Sequence, residues 1–298
     1  MIQFCTVITE GYALSALELA RSVSENTKSG KLAIFCMDEA SFNALKAVDN
    51  ECFRLIALSS FVTKIIIDLR SRSTAEFCWS MKPFVIEKLF ETALDDDWVV
   101  YLDSDMVFLN DPSFDYVENS KAHIHLTRHC FGDSKFNGME RTVGTFNAGY
   151  VGFRKSKVGI DALSLWKRKC IEKVSATPTF DTYADQKYLD LVFEIYGTFN
   201  LETKSAINIA PWNVMQQKVE MFQNVVYWGE RPLAIYHLQG LKIYSNWLCN
   251  LYAGNVCIPE KVDDLIYKRV LMSKKHLLNS LPVEIKKSVF QLYAQKRG

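Results

Sequence analysis

No CxxC pair occurs in the 298 residues: the cysteines stand singly at positions 5, 36, 52, 78, 130, 170, 249 and 257. That excludes a zinc knuckle and a dithiol redox motif. Most lie inside apolar segments, where a thiol acts as a small hydrophobe, so a reduced, cytoplasmic protein is expected. No uninterrupted apolar run of about eighteen residues is present, which argues against a membrane span. The opening "MIQFCTVITEGY" has neither a basic leader nor a cleavable apolar stretch, so no secretion signal is expected. Neither charge dominates, with 35 basic side chains against 34 acidic, so no global field draws the chain to nucleic acid. Repeats, low-complexity tracts and glycine- or proline-rich linkers are missing too. What is present is 49% hydrophobic residues, enough for a sizeable core.

Short apolar runs alternate with helical patterns through the first half. "IQFCTVIT", "KLAIFCM" and "TKIIIDL" read as strands; "ALSALELARSV" and "ASFNALKAV" read as helices. This order predicts an α/β fold, a mostly parallel sheet with helices on both faces. "WSMKPFVIEKLFETAL" reads as a helix with Pro83 near its start, where a missing N–H costs little. "WVVYL", "AHIHLT" and "TFNAGYVGF" are further strands, and helices are expected around 160–174 and 184–196.

The stretch "WVVYLDSDM" ends a buried strand in Asp103 and Asp105. Residues i and i+2 of a strand share a face, so the two carboxylates converge and repel unless a cation lies between them. A hard divalent ion, Mg²⁺ or Mn²⁺, is the natural filler. Open parallel sheets bind ligands beyond the carboxyl ends of their strands, where this pair falls. The same letters also fit a haloacid-dehalogenase-type phosphatase, with Asp103 as nucleophile and Asp105 as acid/base. A complete βαβ unit precedes the motif, however, and the later G-D-x-x-x-D pair of those enzymes does not follow it.

Four more stretches stand out. "TFNAGYVGF" puts the amide of Asn147 and the small residues Ala148 and Gly149 into an apolar strand, where an unbonded amide is costly and a glycine admits a close neighbour. "YADQKYLD" is expected to open a helix with Asp185 and Gln186 in its first turn; the plain reading of Asp185 is a helix cap. "NIAPWNV" offers Trp212 beside Asn213, a stacking plate with a polar handle. "AIYHLQGLKIY" ends an apolar run in His237, with Lys242 past a glycine, a placement that suits a phosphate.

In this order, "VITEGYALSALELARSV", "CWSMKP", "YLDSDM", "FNAGYVGF", "ADQKYLD" and "HLQGLK" resemble the motifs of the family-eight retaining glycosyltransferases of GT-A fold, the group containing glycogenin and the bacterial lipooligosaccharide galactosyltransferase. "DQKYLD" with "NIAPWN" looks closer to a branch of bacterial sugar transferases than to glycogenin. The resemblance implies that Asp103, Asp105 and His237 hold Mn²⁺ or Mg²⁺. Thr6, Thr9 and Tyr12 would line the base and ribose pocket, with Asp38 nearby, Ser104 in the metal turn and Lys82 at the diphosphate. Asn147, Ala148, Asp185 and Gln186 would surround the sugar, Gln186 near the anomeric carbon; Asn147, Asp185 and Gln186 are the expected catalytic residues. Trp212 and Asn213 would form a wall of the sugar or acceptor site, and Lys242 would meet a phosphate. Departures are Thr9 and Gly11, where the family usually has an acidic residue or asparagine, and Tyr244 and Trp247 after a lysine that comes one residue early.

The implied activity is metal-dependent transfer of a hexose from a nucleotide-diphosphate sugar, UDP-linked, to a hydroxyl of a glycan or lipid-linked glycan. Retention would follow from attack on the face the diphosphate leaves, the diphosphate taking the acceptor's proton. A catalytically silent nucleotide-sugar binding module is the other alternative. Residues 1–260 are expected to form the transferase domain and 261–298 a helical extension. From Tyr267 onward Lys268, Arg269, Lys274, Lys275, Lys286, Lys287, Lys296 and Arg297 face Glu284 alone, interleaved with apolar residues. That composition suits a basic amphipathic helix on an anionic membrane surface, and the expected location is cytoplasmic, peripheral on the inner membrane face.

Overall fold

In a computed structural model of the chain, the described residues are all but 29, 49–50, 119–120, 244–248, 251–255 and 287–298. The chain alternates β1 (Ile2–Ile8), α1 (Ala13–Asn26), β2 (Leu32–Cys36), α2 (Glu39–Lys46) and β3 (Phe53–Ala57). Two helices, α3 (Lys64–Leu69) and α4 (Thr74–Phe90), lead to β4 (Trp98–Leu102) and the short β5 (Met106–Phe108). Side chains alternate across β1. Cys5 and Val7 join a core with Met81 and Val85 of α4, while Phe4 and Ile8 join a second core with Leu17 and Ala20 of α1. Both faces are covered, which is why β2 and β4 read as unbroken apolar runs and β1 as one interrupted only at Gln3 and Thr6.

α5 (Ser113–Glu118), β6 (Ile124–Arg128), α6 (Met139–Val143), β7 (Phe146–Arg154), α7 (Lys157–Glu172) and α8 (Tyr188–Tyr196) follow. The central six-stranded sheet has the order β3-β2-β1-β4-β7-β6. β3, β2, β1 and β4 pair in parallel, whereas β7 runs antiparallel to both β4 and β6. The expected α/β architecture is therefore present. The chain leaves β1 toward β2 on one side and β4 lies on the other, so the carboxyl ends of β1 and β4 border the crevice where strand order reverses.

Three local expectations are corrected. "TKIIIDL" is helix α3, capped by Thr63, whose hydroxyl accepts from the Ile66 amide; the third strand is "FRLIA", parallel to β2. A short apolar run cannot be assigned by periodicity alone. Pro83 lies in the interior of α4, which starts nine residues earlier behind the Ser73–Glu76 capping box. Asp185 and Gln186 sit in a turn before α8, which begins at Tyr188.

A smaller layer of β8 (Val219–Phe222), β9 (Val225–Trp228), β10 (Arg231–Pro232), β11 (Ile235–His237), β12 (Lys242–Ile243) and β13 (Cys249–Asn250) completes the sheets. β11 pairs antiparallel with β5, setting His237 against Met106. α9 (Glu260–Val262) passes through a π-helical turn at Asp263–Tyr267 into α10 (Lys268–Ser280). Val262, Ile266 and Val270 pack with Tyr236 and Leu238, and Leu278 packs with the α1 core, so the segment is seated on the body. Among the described residues no helix is long and apolar enough to cross a membrane.

Candidate active site

A cleft of about 680 Å³ opens at the strand-order reversal. Its near wall is the loop after β1, with Thr9, Gly11 and Tyr12. Asp38 stands behind this loop: its carboxylate caps α2 through the Ser41 amide and accepts from the Glu10 amide at 3.0 Å. One stripe of α4, Thr74, Ala75, Cys78, Trp79 and Lys82, lines another side at helical spacing.

The floor is the turn between β4 and β5. Asp103, Ser104 and Asp105 all line the cleft, but they follow the end of β4 instead of continuing it. The carboxylates still converge, because the turn closes through the Met106 amide on the Asp103 carbonyl at 3.1 Å. His237 arrives from β11: its amide donates to Ile209 and the next amide, Leu238, donates to the Asp105 carbonyl at 2.8 Å. One ligand atom from each of Asp103, Asp105 and His237 lies within 4.8 Å of the others. His237 Nε2 is 3.2 Å from Asp105 Oδ1, a contact met either by a proton on Nε2 or by a cation shared between the two atoms.

β7 passes beside this floor. The Asp103 amide donates to the Gly149 carbonyl at 2.7 Å. Pairing with β6 jumps from Leu126↔Val151 to Thr127↔Asn147, a bulge that turns Asn147 and Gly149 into the cleft. A Cβ on Gly149 would lie 2.7 Å from both His237 Cε1 and Asn147 Oδ1, and 3.0 Å from Asp103 Oδ2. Only glycine leaves this cradle open. The oxygen-and-imidazole donor set and the open cradle fit a hard divalent cation such as Mn²⁺ or Mg²⁺.

Lys82 is buried: it donates to the Ala148 carbonyl at 3.1 Å and pairs ionically with Asp103 Oδ1 at 3.1 Å and Asp185 Oδ2 at 3.5 Å. Burial opposes its charge, yet Asp103 and Asp185 outweigh it and hold the ammonium above the usual lysine range. The Tyr101 hydroxyl also donates to Asp103 Oδ1, at 2.9 Å. Burial lifts the Asp185 carboxyl to about 6 against the pull of Lys82. Its Oδ2 lies within ionic reach of Lys82 but has no hydrogen-bond donor.

Thr9, Tyr12, Lys82, Asp103, Ser104, Asp105, Asn147, Asp185, Gln186, Trp212 and His237 are thus brought to one cleft. Thr6, Asp38, Ala148, Asn213 and Lys242 do not line it. Thr6 is fully buried in β1, and Ala148 contributes its carbonyl to Lys82. The Asn213 amide is used in bonds to the Ala210 amide and the His129 carbonyl. Lys242 lies exposed in β12, paired with Asn250. Tyr244 and Trp247 fall outside the described residues. Trp212 sets its ring edge-on to His237 with centroids 5.4 Å apart, its N–H donating to the His129 carbonyl.

Three participants had no sequence signal of their own. His129 and Asn208 are buried and join Asn147 and His237 through their polar atoms. Lys274 of α10 is buried, donates to Ser15 Oγ of α1 at 2.9 Å, and adds positive potential at Asp105.

No protein-family model matches the chain. It is 26% identical over 249 residues to the uncharacterized protein YfnF of Bacillus subtilis (strain 168), spanning 81% of this chain and 82% of that relative. It is 25% identical over 281 residues to YfnD of the same organism, spanning 93% and 90%. Among solved structures it is similar to the galactosyltransferase LgtC in complex with donor and acceptor sugar analogs, with TM-score 0.55 and 15% identity over 97% of this chain and all of that one. An active-site mutant of LgtC gives a TM-score of 0.51 at the same identity and coverage. The strand order, the crevice at its reversal and this likeness agree, and the chain has the GT-A fold.

Proposed function

We propose that the chain is a metal-dependent glycosyltransferase that moves a hexose from a UDP-sugar to a hydroxyl of a glycan or lipid-linked glycan, with retention at the anomeric carbon. One observation carries this reading: Asp103, Asp105 and His237, from two distant segments, meet on the floor of a cleft at the sheet's strand-order reversal. LgtC, whose fold the chain shares, is described with donor and acceptor sugar analogs.

Asp103, Asp105 and His237 would hold Mn²⁺ or Mg²⁺, which when bound acts as a Lewis acid toward the leaving diphosphate. Tyr12, Thr9 and Gly11 wall the end of the cleft assigned to the nucleoside. Lys82 holds a positive charge in the cleft wall, fixed by Asp103 and Asp185, where it favours negative charge growing on a leaving group. Gln186 donates Nε2 to the Val143 carbonyl at 2.9 Å, which leaves its Oε1 as an acceptor for positive character on the sugar. The donor-less Asp185 Oδ2 is available to a sugar hydroxyl; an unsatisfied buried acceptor costs about 1–3 kcal/mol, recovered when a donor arrives. The basic C-terminal stretch, part of it beyond the described residues, fits peripheral contact with an anionic membrane and so a lipid-linked acceptor at the cytoplasmic face.

The test is a screen of UDP- and GDP-sugars, with a phosphate monoester alongside, for Mn²⁺-dependent turnover. Consumption of a UDP-hexose with glycosyl transfer supports the reading. Turnover of the monoester alone would replace it with the phosphatase. Nucleotide-sugar binding without turnover across an acceptor panel would leave the silent module.

A further inference from the structure

The hydrogen bonds behind the cleft can be read in one direction only. The Gly149 amide, an unambiguous donor, points at one end of the Asn147 side chain at 2.9 Å, so that atom is Oδ1. The same Oδ1 lies 3.1 Å from the Asn208 side chain, which must therefore present Nδ2. Nδ2 of Asn208 also meets Thr127 Oγ1 at 2.8 Å, and Thr127 passes its own proton toward the Tyr150 carbonyl at 3.5 Å. The remaining Asn208 atom, Oδ1, faces His237 Nδ1 at 3.1 Å, so His237 carries a proton on Nδ1. The chain closes at its other end too. Asn147 Nδ2 donates to His129 Nε2, at 3.3 Å, so His129 holds its proton on Nδ1, facing the Thr145 carbonyl at 3.3 Å. A backbone donor at one end and a backbone acceptor at the other give the same assignment.

We propose that Asn208 is a positioning residue for the cation site: with Asn147 and His129 it keeps a proton on His237 Nδ1 and turns Nε2 toward Asp103 and Asp105. The inference deepens the metal-dependent reading above and rests on it. A solvated imidazole favours the opposite tautomer, with Nε2 protonated, and that form cannot ligate through Nε2. A hydrogen bond from the far nitrogen also fixes the ring's orientation and raises its basicity as a ligand. Asn208 is itself held with φ of 60°, a left-handed conformation that asparagine tolerates, and is buried, so its side chain has one place to go. The Asn147 amide is engaged in the same row on both of its atoms, which makes it part of the support for His237 as well as a lining residue.

The experiment uses the full chain labelled with ¹⁵N-histidine. Long-range ¹H–¹⁵N spectra under alkaline, metal-free conditions read the His237 tautomer, and a Mn²⁺ titration reads affinity. Asn208→Gly removes the amide while accepting the same φ; Asn208→Asp retains an acceptor for His237 Nδ1. The wild type is expected to show Nδ1–H, Asn208 at 3.1 Å prevailing over the Asp105 carboxylate, which lies 3.2 Å from Nε2 and pulls the proton the other way. Asn208→Gly is expected to move toward Nε2–H and to bind Mn²⁺ roughly 10- to 100-fold more weakly. Asn208→Asp restores Nδ1–H. An unchanged tautomer in Asn208→Gly, or Mn²⁺ affinity within about twofold of wild type, overturns the proposal. If Asn208→Gly does not fold, an Nε2–H ring in Asn208→Asp overturns it equally. A wild type that binds no Mn²⁺ removes the metal-dependent reading, while the tautomer spectra still decide the role of Asn208.

Discussion

His237 Nε2 and Asp105 Oδ1 lie 3.2 Å apart although β5 (Met106–Phe108) and β11 (Ile235–His237) are far apart in the chain. The antiparallel β5–β11 pairing brings them together, and with Asp103 they surround a point suited to a cation. Adding Mn²⁺ at about a hundred times its Kd should stabilise the protein by roughly 2.7 kcal/mol, and a chelator should reverse the gain. Thermal melts of wild type and Asp105→Asn check this. Equal Mn²⁺-induced shifts in both would remove Asp105 from the site.

Gly149→Ala is expected to abolish transfer. Its new methyl must displace His237, Asn147 or Asp103, all within 3.0 Å of the Cβ position, while the rest of β7 keeps its pairing. Overpacking of this kind costs about 1–3 kcal/mol, so the variant should stay folded. Circular dichroism with a Mn²⁺ titration separates loss of the site from loss of the fold.

Replacing Lys82 by methionine leaves Asp103 and Asp185 without their shared cation. Removing one partner of a buried ionic cluster costs about 3–5 kcal/mol. Urea unfolding of Lys82→Met should show that loss, and bound Mn²⁺ should recover part of it by compensating Asp103. A variant as stable as wild type would mean that Asp185 is neutral at the working pH, in keeping with its carboxyl being lifted to about 6.

Burial lowers His125 to about 3 and His129 to about 4. Both are folded in the neutral form, so the unfolded chain binds the extra protons once pH falls below about 6.5. Their contribution to stability is complete above that pH and is lost as pH falls toward the folded values. Each histidine should remove about 1.4 kcal/mol per pH unit across its window. Denaturation at stepped pH tests this, and a flat profile between about 6 and 4.5 would contradict it.

Much of this was legible in the chain because several signals were local. Unbroken apolar runs gave the covered strands, and Asp103–Asp105 after "WVVYL" located the floor of the cleft. "TKIIIDL" misled because four apolar residues fit a buried strand as well as one turn of helix, and only Thr63 as a cap decides between them. Asn208 gave no warning: it is a single polar residue ahead of Ile209, Ala210 and Pro211, in no motif of its own. Its partners Thr127, Asn147 and His237 are distant in sequence. Lys274 stands in the basic pattern of the tail, and a charge pattern does not say which face of a helix meets the body.

Lys274 and Ser273 fasten α10 to Ser15 and Glu18 on the helix that begins where the Thr9–Tyr12 loop ends. Shortening the chain to residue 260 would strip a buried ammonium from α1 and several packed aliphatic side chains from the body. The terminal helix is thus a keystone as much as an appendage: any surface it rests on can be met only by its outward residues, Arg269, Met272 and Lys275 among them, while its inner side stays locked to α1.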